Sequence, residues 1–311
     1  MKLIRRITIK KYNELLNKRC DINPGIRYFD ETHFEGLVKD PFEFKNDNGF
    51  MLRGGIYHYD NYDNKTIIVF CHGMFGGHQA YMKEINYIAK SGFQVLSIDY
   101  QGTILSEGDK LGGPTKALID MDKLVKSIKN KYENIYMIGH SWGSFVAQGV
   151  AGLNNEIKKV VMLAPMISLH NLVKQHFDKW LKFIRKEILD YEYELYGEYS
   201  KSDAIVNLER NDLSALVIQS KNDNLLDFNL NLEALRNSIH NKKVDFCVVN
   251  DKKHNPTYTK EAVIKLNNYL KELKKTEFYD EKQLLAENAS WDEMCELDTD
   301  IMDKIITFFK A

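Results

Sequence analysis

Apolar residues recur along this chain in two rhythms. Short apolar runs bounded by breakers predict strands near 42–46, 51–58, 66–71, 94–98, 134–138, 158–164, 214–220 and 244–249. Longer stretches with apolar residues three and four apart predict helices near 79–90, 115–130, 142–152, 227–239 and 258–273. From the third strand onward the two kinds mostly alternate, which predicts a largely parallel sheet with helices on both faces. The first two strands, joined by "NDNG" at 46–49, read as an antiparallel hairpin at one edge.

One interval breaks the alternation. Between "KKVVMLAP" and "SALVIQS" there is no strand signal, and "NLVKQHFDKWLKFIRKEIL" places Leu172, Val173, Phe177, Trp180, Leu181, Ile184 and Ile188 on one helical face. The other face is basic. Such a helix either covers the core or forms a lid over a site. A last amphipathic helix near 300–310 is expected to dock on the sheet, and the acidic stretch 276–297 before it reads as a connector or an excursion.

Composition changes this picture little. The 311 residues are 44% hydrophobic and 28% charged, with a net charge of -1, so the chain is an ordinary globular one with no global field to favour nucleic acid. The charge is uneven: residues 1–20 carry seven Lys/Arg against one Glu, and residues 277–300 carry nine Asp/Glu against one Lys. These read as two solvated faces, or more sharply as segments that dock on each other. Cys20, Cys71, Cys247 and Cys295 show no CxxC spacing; Cys71 and Cys247 read as core residues, and a reducing compartment is expected. The basic N-terminus lacks a continuous apolar segment, and no run approaches the ~18 apolar residues of a membrane helix. A cytoplasmic protein is the expectation.

The candidate chemistry centres on "NIYMIGHSWGSFVAQGVAG", where a strand-like run enters Gly139-His140-Ser141-Trp142-Gly143 and leaves as a helix. G-x-S-x-G alone is a weak pattern; its placement between strand and helix is what makes Ser141 a candidate nucleophile. A serine hydroxyl also needs a base, an acid to orient that base, and donors for the oxyanion. The C-terminal ends of other strands are the place to seek them. "CHGMFGG" at 71–77 follows the third strand and offers the N–H of Met74 as one oxyanion donor, with the N–H of Trp142 as the second. "SKNDNLLDF" after the seventh strand offers Asp223, favoured over Asp227 because the acid needs a fixed turn directly after its strand. "NDKKHNPTYT" after the eighth offers His254, whereas His170, His176 and His240 fall on or beside helical patterns. His72 and His78 are poorly spaced for a metal, no HExxH is present, and neither metal nor other cofactor is expected.

On these residues the chain resembles the α/β-hydrolase superfamily, most closely its lysophospholipase and monoacylglycerol-lipase-like branch, often labelled serine aminopeptidase-like. The resemblance spans roughly 40–270 through "FKNDNGFMLRGGIY", "VFCHGMFGG", "SIDYQGTILSEG", "GHSWGS", "SKNDNLL" and "KKHNP". It implies an α/β-hydrolase fold: a mostly parallel eight-stranded sheet with helices on both faces and a small helical cap. The core would be 1–166 with 211–311, and 167–210 the cap. It also implies that Ser141 is the nucleophile, Asp223 the acid, His254 the base, and Met74 and Trp142 the oxyanion donors. Two departures stand out: "DYQGTILSEG" lacks the arginine and second glycine of the family's D-x-R-G-x-G-x-S, and Lys253 stands where glycine is common.

The activity expected is hydrolysis of a carboxylic ester with an apolar acyl chain through an acyl-enzyme. Cleavage of amides or small peptides is the enzymatic alternative, and a non-catalytic ligand-binding protein on the same fold is the alternative from another class. His72, Gly73, Phe75, Phe177 and Trp180 are the candidates to line the substrate groove. The expected partner is a small ester or lipid-like molecule, not nucleic acid, with weak membrane-surface contact through the basic face of the cap.

Overall fold

A computed structural model describes residues 2–74, 76–177, 182–210 and 212–311. Eight strands form one sheet: β1 (Val38–Lys45), β2 (Met51–His58), β3 (Thr66–Cys71), β4 (Gln94–Ile98), β5 (Asn134–His140), β6 (Ile157–Leu163), β7 (Ser214–Ser220) and β8 (Val244–Val249). Their order is β1-β2-β4-β3-β5-β6-β7-β8, antiparallel at β1/β2 and β2/β4 and parallel from there on. The helices are α1 (Lys2–Leu16), α2 (Met82–Lys90), α3 (Pro114–Ile128), α4 (Trp142–Leu153), α5 (Leu169–His176), α6 (Lys182–Tyr196), α7 (Ala204–Asn207), α8 (Ala234–Ser238), α9 (Lys260–Leu273), α10 (Tyr279–Glu287), α11 (Trp291–Met294) and α12 (Thr299–Lys310).

Period-two alternation in the central strands divides the core into two layers. Ile67 and Val69 of β3 face α3, α4 and α8, whereas Ile68 and Phe70 face α2, α9 and α12. All six residues of β3 are buried, the signature of a parallel strand covered on both faces. The edge differs. β1 extends four residues further toward the N-terminus than its apolar pattern suggested and takes in Pro41, whose missing N–H an edge strand tolerates. Cys247 lies on the opposite edge strand, β8, and is only half buried rather than a full core residue.

Three sequence expectations need correction. The single amphipathic helix expected across 172–188 is two helices. α5 ends at His176, the backbone turns extended at Phe177 (φ -122°, ψ 121°), and α6 begins at Lys182. Trp180 and Leu181 lie outside the described residues. Among the described residues no ion pair joins the basic N-terminal segment to the acidic C-terminal one. Instead α1 packs on α6, where Arg5 bonds Glu187 at 3.1 Å and Glu194 at 2.5 Å. The acidic segment holds α10 and α11, and α11 pairs elsewhere through Lys83–Asp292 at 2.8 Å and Lys265–Glu293 at 2.7 Å. Each segment found partners of opposite charge nearer than the other. Finally, the 227–239 stretch opens with a π-helical turn at Asn229–Glu233 before α8. Among the described residues no helix is long and apolar enough to cross a membrane.

Candidate active site

The turn between β5 and α4 explains its own glycines. Ser141 adopts φ 57° and ψ -117°, a conformation costly for a residue with a Cβ. Its N–H donates to Leu163 O at 2.8 Å, so the neighbouring strand β6 holds the strained residue in place. A Cβ on Gly139 would overlap the Gly143 carbonyl, and one on Gly143 would overlap the carbonyl of Cys71 at the end of β3. The corner is therefore tight in itself and pressed against the start of the loop that follows β3. Ser144, one turn on, is buried and donates its hydroxyl to Ser141 O at 2.5 Å, which occupies it.

Asp223 and His254 come together at the ends of β7 and β8. His254 Nδ1 lies 3.0 Å from each carboxylate oxygen of Asp223. A carboxylate can only accept, so Nδ1 carries the proton and Nε2 is left as the free base. Burial alone would push the Asp223 carboxyl up. Hydrogen bonding and charge from His254, with the N–H groups of Leu225 and Leu226, outweigh that and hold it below the usual carboxylate range. Asp227 stands apart, accepting from Leu230 N at 2.8 Å on the surface of the loop.

A hydrogen-bonded relay joins three loops of the site. Gly73 N–H donates to Tyr81 Oη at 3.0 Å; Tyr81 Oη–H donates to His140 Nδ1 at 2.9 Å; His140 Nε2–H donates to the carbonyl of His254 at 2.7 Å. The donor sense follows because the last acceptor is a carbonyl, which forces the proton onto Nε2. Burial first, and then the neighbouring His254, depress the His140 pKa to about 3, so the ring stays neutral as the relay requires. Neither Tyr81 nor His140 was singled out from the sequence. Tyr81 sits in a stretch that reads as helix, and His140 falls in the turn past the predicted strand 134–138, whereas β5 runs on to include it.

The remaining candidates divide. The N–H groups of Met74 and Trp142 find no protein acceptor among the described residues, as oxyanion donors require. His72 turns inward: it is fully buried, donates from Nδ1 to Gly73 O at 2.7 Å, accepts from Tyr100 N at 3.1 Å and stacks on the Tyr100 ring at 3.9 Å. Its imidazole, held neutral by burial with a pKa near about 4, shapes the loop from beneath and does not line a groove. Gly73 is the first donor of the relay. Phe75 and Trp180 lie outside the described residues, and Phe177 packs half-buried against the main core. Gln175 of α5 donates to Leu225 O at 2.6 Å and accepts from Asp227 N at 3.0 Å, which ties the inserted helices to the Asp223 loop.

The departures from the family pattern also have a structural account. Ile104, where a second glycine is usual, sits at φ 31°, and Lys253 at φ 46°; both positions demand the left-handed region. The first loop is held from outside. Arg19 donates to the carbonyls of Ile104, Ser106 and Gly108 at 2.8–3.0 Å, and Cys20 N–H donates to Gly102 O at 2.8 Å. Beneath it, Asp99 accepts from His78 N at 2.7 Å and lies 2.8 Å from His78 Nδ1, with both side chains fully buried. The loop that carries His254 is anchored by the Lys252 ion pair with Asp298 at the start of α12.

A strained serine between strand and helix, with an Asp–His pair at the ends of later strands of a mostly parallel sheet, defines a protein of the α/β-hydrolase fold. Residues 62–205 match a family model described as serine aminopeptidase, S33. An esterase of Pyrococcus furiosus superposes with a TM-score of 0.57 at 21% identity, over 83% of this chain and 98% of that one. An acetyl xylan esterase of Thermoanaerobacterium gives 0.54 at 18% identity over 82% and 88%, and one of Paenibacillus 0.56 at 14% over 81% and 88%. No curated protein sequence matches. The chain has the α/β-hydrolase fold.

Proposed function

We propose that this protein is a serine hydrolase that cleaves carboxylic esters with an apolar acyl group. The carrying observation is the Asp223–His254 pair tied, through His140, to the strained corner that presents Ser141. In this reading Ser141 Oγ attacks the ester carbonyl while His254 Nε2 takes its proton. Asp223 holds the imidazole tautomer and stabilises the imidazolium. The N–H groups of Met74 and Trp142 receive the oxyanion, with the free amide groups at the start of α4 behind them. The imidazolium returns its proton to the departing alcohol. Water, activated by the same base, then releases the acid from the acyl-enzyme. His140 is no competing base, since both its ring nitrogens are engaged.

The 167–210 segment serves as a cap, with Phe177 as part of the acyl wall. The esterase names among the structural neighbours support ester cleavage. The description of the matching family model supports amide or peptide cleavage as a second reading. A fluorophosphonate probe should label the wild type at Ser141, and Ser141→Ala should lose both labelling and ester turnover, a fall of roughly 10⁴-fold. Paired p-nitrophenyl ester and p-nitroanilide substrates then decide between the readings. Turnover of aminoacyl anilides above that of esters would replace the first reading by the second.

A further inference from the structure

Helix α1 is held to the protein along one face only. Thr8 and Tyr12 are buried there, Tyr12 donates its hydroxyl to Glu192 and packs edge-on against Tyr191 at 5.4 Å, and Arg5 bridges Glu187 and Glu194. The opposite face meets solvent, yet it is not a polar face. Leu3 is 69% exposed, Ile7 55% and Ile4 44%, three large apolar side chains within two turns. At 100° per residue Leu3 and Ile7 lie about 40° apart and Ile4 about 60° beyond Ile7; Arg6 and Lys10 flank the strip beside Leu3, while Lys11 and Glu14 fall within its arc, one to two turns toward the C-terminus. Single exposed apolar residues are commonplace; a strip of three bordered by cations is a surface built for a partner.

We infer that this face of α1 docks the protein on an anionic lipid surface. The charge pattern selects that occupant. Residues 2–16 carry Lys2, Arg5, Arg6, Lys10 and Lys11 against the single acid Glu14, so two copies of α1 placed face to face would oppose like charges. A bilayer rich in acidic headgroups offers hydrocarbon to Leu3, Ile4 and Ile7 and phosphates to Arg6, Lys10 and Lys11. The cap helix beneath is less suited. α6 carries Lys182, Arg185 and Lys186 against Glu187, Asp190, Glu192 and Glu194, a net negative charge, whereas on α1 Lys10 and Lys11 share the one acid Glu14 at 4.0 and 2.8 Å, so the excess positive charge lies on α1 rather than on the cap helix. Because α1 rests on α6, the docked protein would hold the inserted helices at the lipid surface. The significance of that placement rests on the hydrolase reading; the binding does not.

The test is sedimentation of the full chain with sucrose-loaded vesicles. One set is phosphatidylcholine alone, the other equimolar phosphatidylcholine and phosphatidylglycerol. The wild type should pellet with the anionic set, weakly or not at all with the neutral set, and less as salt is raised. Arg6→Gln with Lys10→Gln should lower partitioning roughly 25-fold, about fivefold for each cation lost. Leu3→Ser with Ile7→Ser should lower it by about tenfold or more with charge unchanged. All four side chains are exposed, so the melting temperature and the turnover of a soluble ester should match the wild type in both variants. No pelleting with anionic vesicles overturns the inference. So does binding that the apolar pair of substitutions leaves intact, or light scattering that finds a dimer abolished by that pair in protein that ignores vesicles. Anionic-vesicle binding by a protein that turns over no ester would leave the docking surface standing and defeat the hydrolase reading instead.

Discussion

Replacing Tyr81 by Phe removes one oxygen from the centre of the relay that joins the oxyanion loop to the elbow and the histidine loop. Two buried groups lose their partner at once: the Gly73 N–H, 3.0 Å away, and His140 Nδ1, 2.9 Å away. A buried polar group left unpaired costs about 1–3 kcal/mol, and two of them, partly relieved by relaxation, roughly 2–4 kcal/mol. In a chain of this size that corresponds to a fall in melting temperature of roughly 3–6 °C. The kinetic effect is separate. With Gly73 untied, the adjacent Met74 N–H is no longer fixed relative to His254, and the loss should appear where charge develops. A tenfold fall in kcat corresponds to about 1.4 kcal/mol of transition-state stabilisation, and this is the size expected, with KM within about twofold of wild type. The assay is steady-state hydrolysis of a soluble p-nitrophenyl ester well below the variant's melting temperature. Tyr269→Phe is the control: Tyr269 is also buried and donates to Gly25 O at 2.7 Å, but it takes no part in the relay. It should lose stability and keep kcat. Unchanged kcat in Tyr81→Phe, or equal falls in both variants, would refute the positioning role.

Four further outcomes follow from the geometry. Asp223→Asn should cost about 10³–10⁴-fold in kcat, since the amide cannot hold the same imidazole tautomer, whereas Asp227→Asn should cost less than about threefold; equal mild effects would remove Asp223 from the mechanism. Gly143→Ala should destabilise by about 1–3 kcal/mol and lower kcat by about 10²-fold, because its Cβ must displace the end of β3 and with it the oxyanion loop; a thermal melt and a rate measurement check both parts. Glu192, driven by burial to a pKa of about 8 from 4.5, makes the folded state bind a proton that the unfolded state lacks between those values. Its stabilising contribution is therefore complete below about pH 4.5 and is lost as pH rises through about 8, an effect on the order of 4 kcal/mol, so denaturant melts of Glu192→Gln should match wild type at low pH and exceed it at high pH. Phe177→Ala should flatten the preference for longer acyl chains, worth about 0.8 kcal/mol or roughly fourfold for each buried methylene, while sparing acetate turnover; equal loss at all chain lengths would make Phe177 a purely structural contact.

What the sequence determined by itself is largely what depends on local pattern. The apolar runs of β2, β3, β4, β7 and β8 were legible to the residue: β3, β4 and β7 because strands buried on both faces leave few polar residues to blur their ends, the half-buried β2 and β8 because breakers bound them. The setting of Ser141, Asp223 and His254 was legible for a related reason: each follows its own strand, and a parallel sheet gathers the ends of its strands along one edge. Tertiary structure decided whatever depended on partners distant in sequence. No periodicity marked Tyr81 or His140, since a hydrogen bond across 59 residues leaves no trace in local composition. The inward turn of His72 followed from Tyr100, which stacks on it from the next loop. The break between α5 and α6 was hidden because Phe177, Ile184 and Ile188 keep helical spacing across it; a face pattern records which side meets the core, not whether the backbone stays continuous. The basic N-terminus was legible as charge, but only packing on α6 turned one of its faces inward and left Leu3, Ile4 and Ile7 on the other.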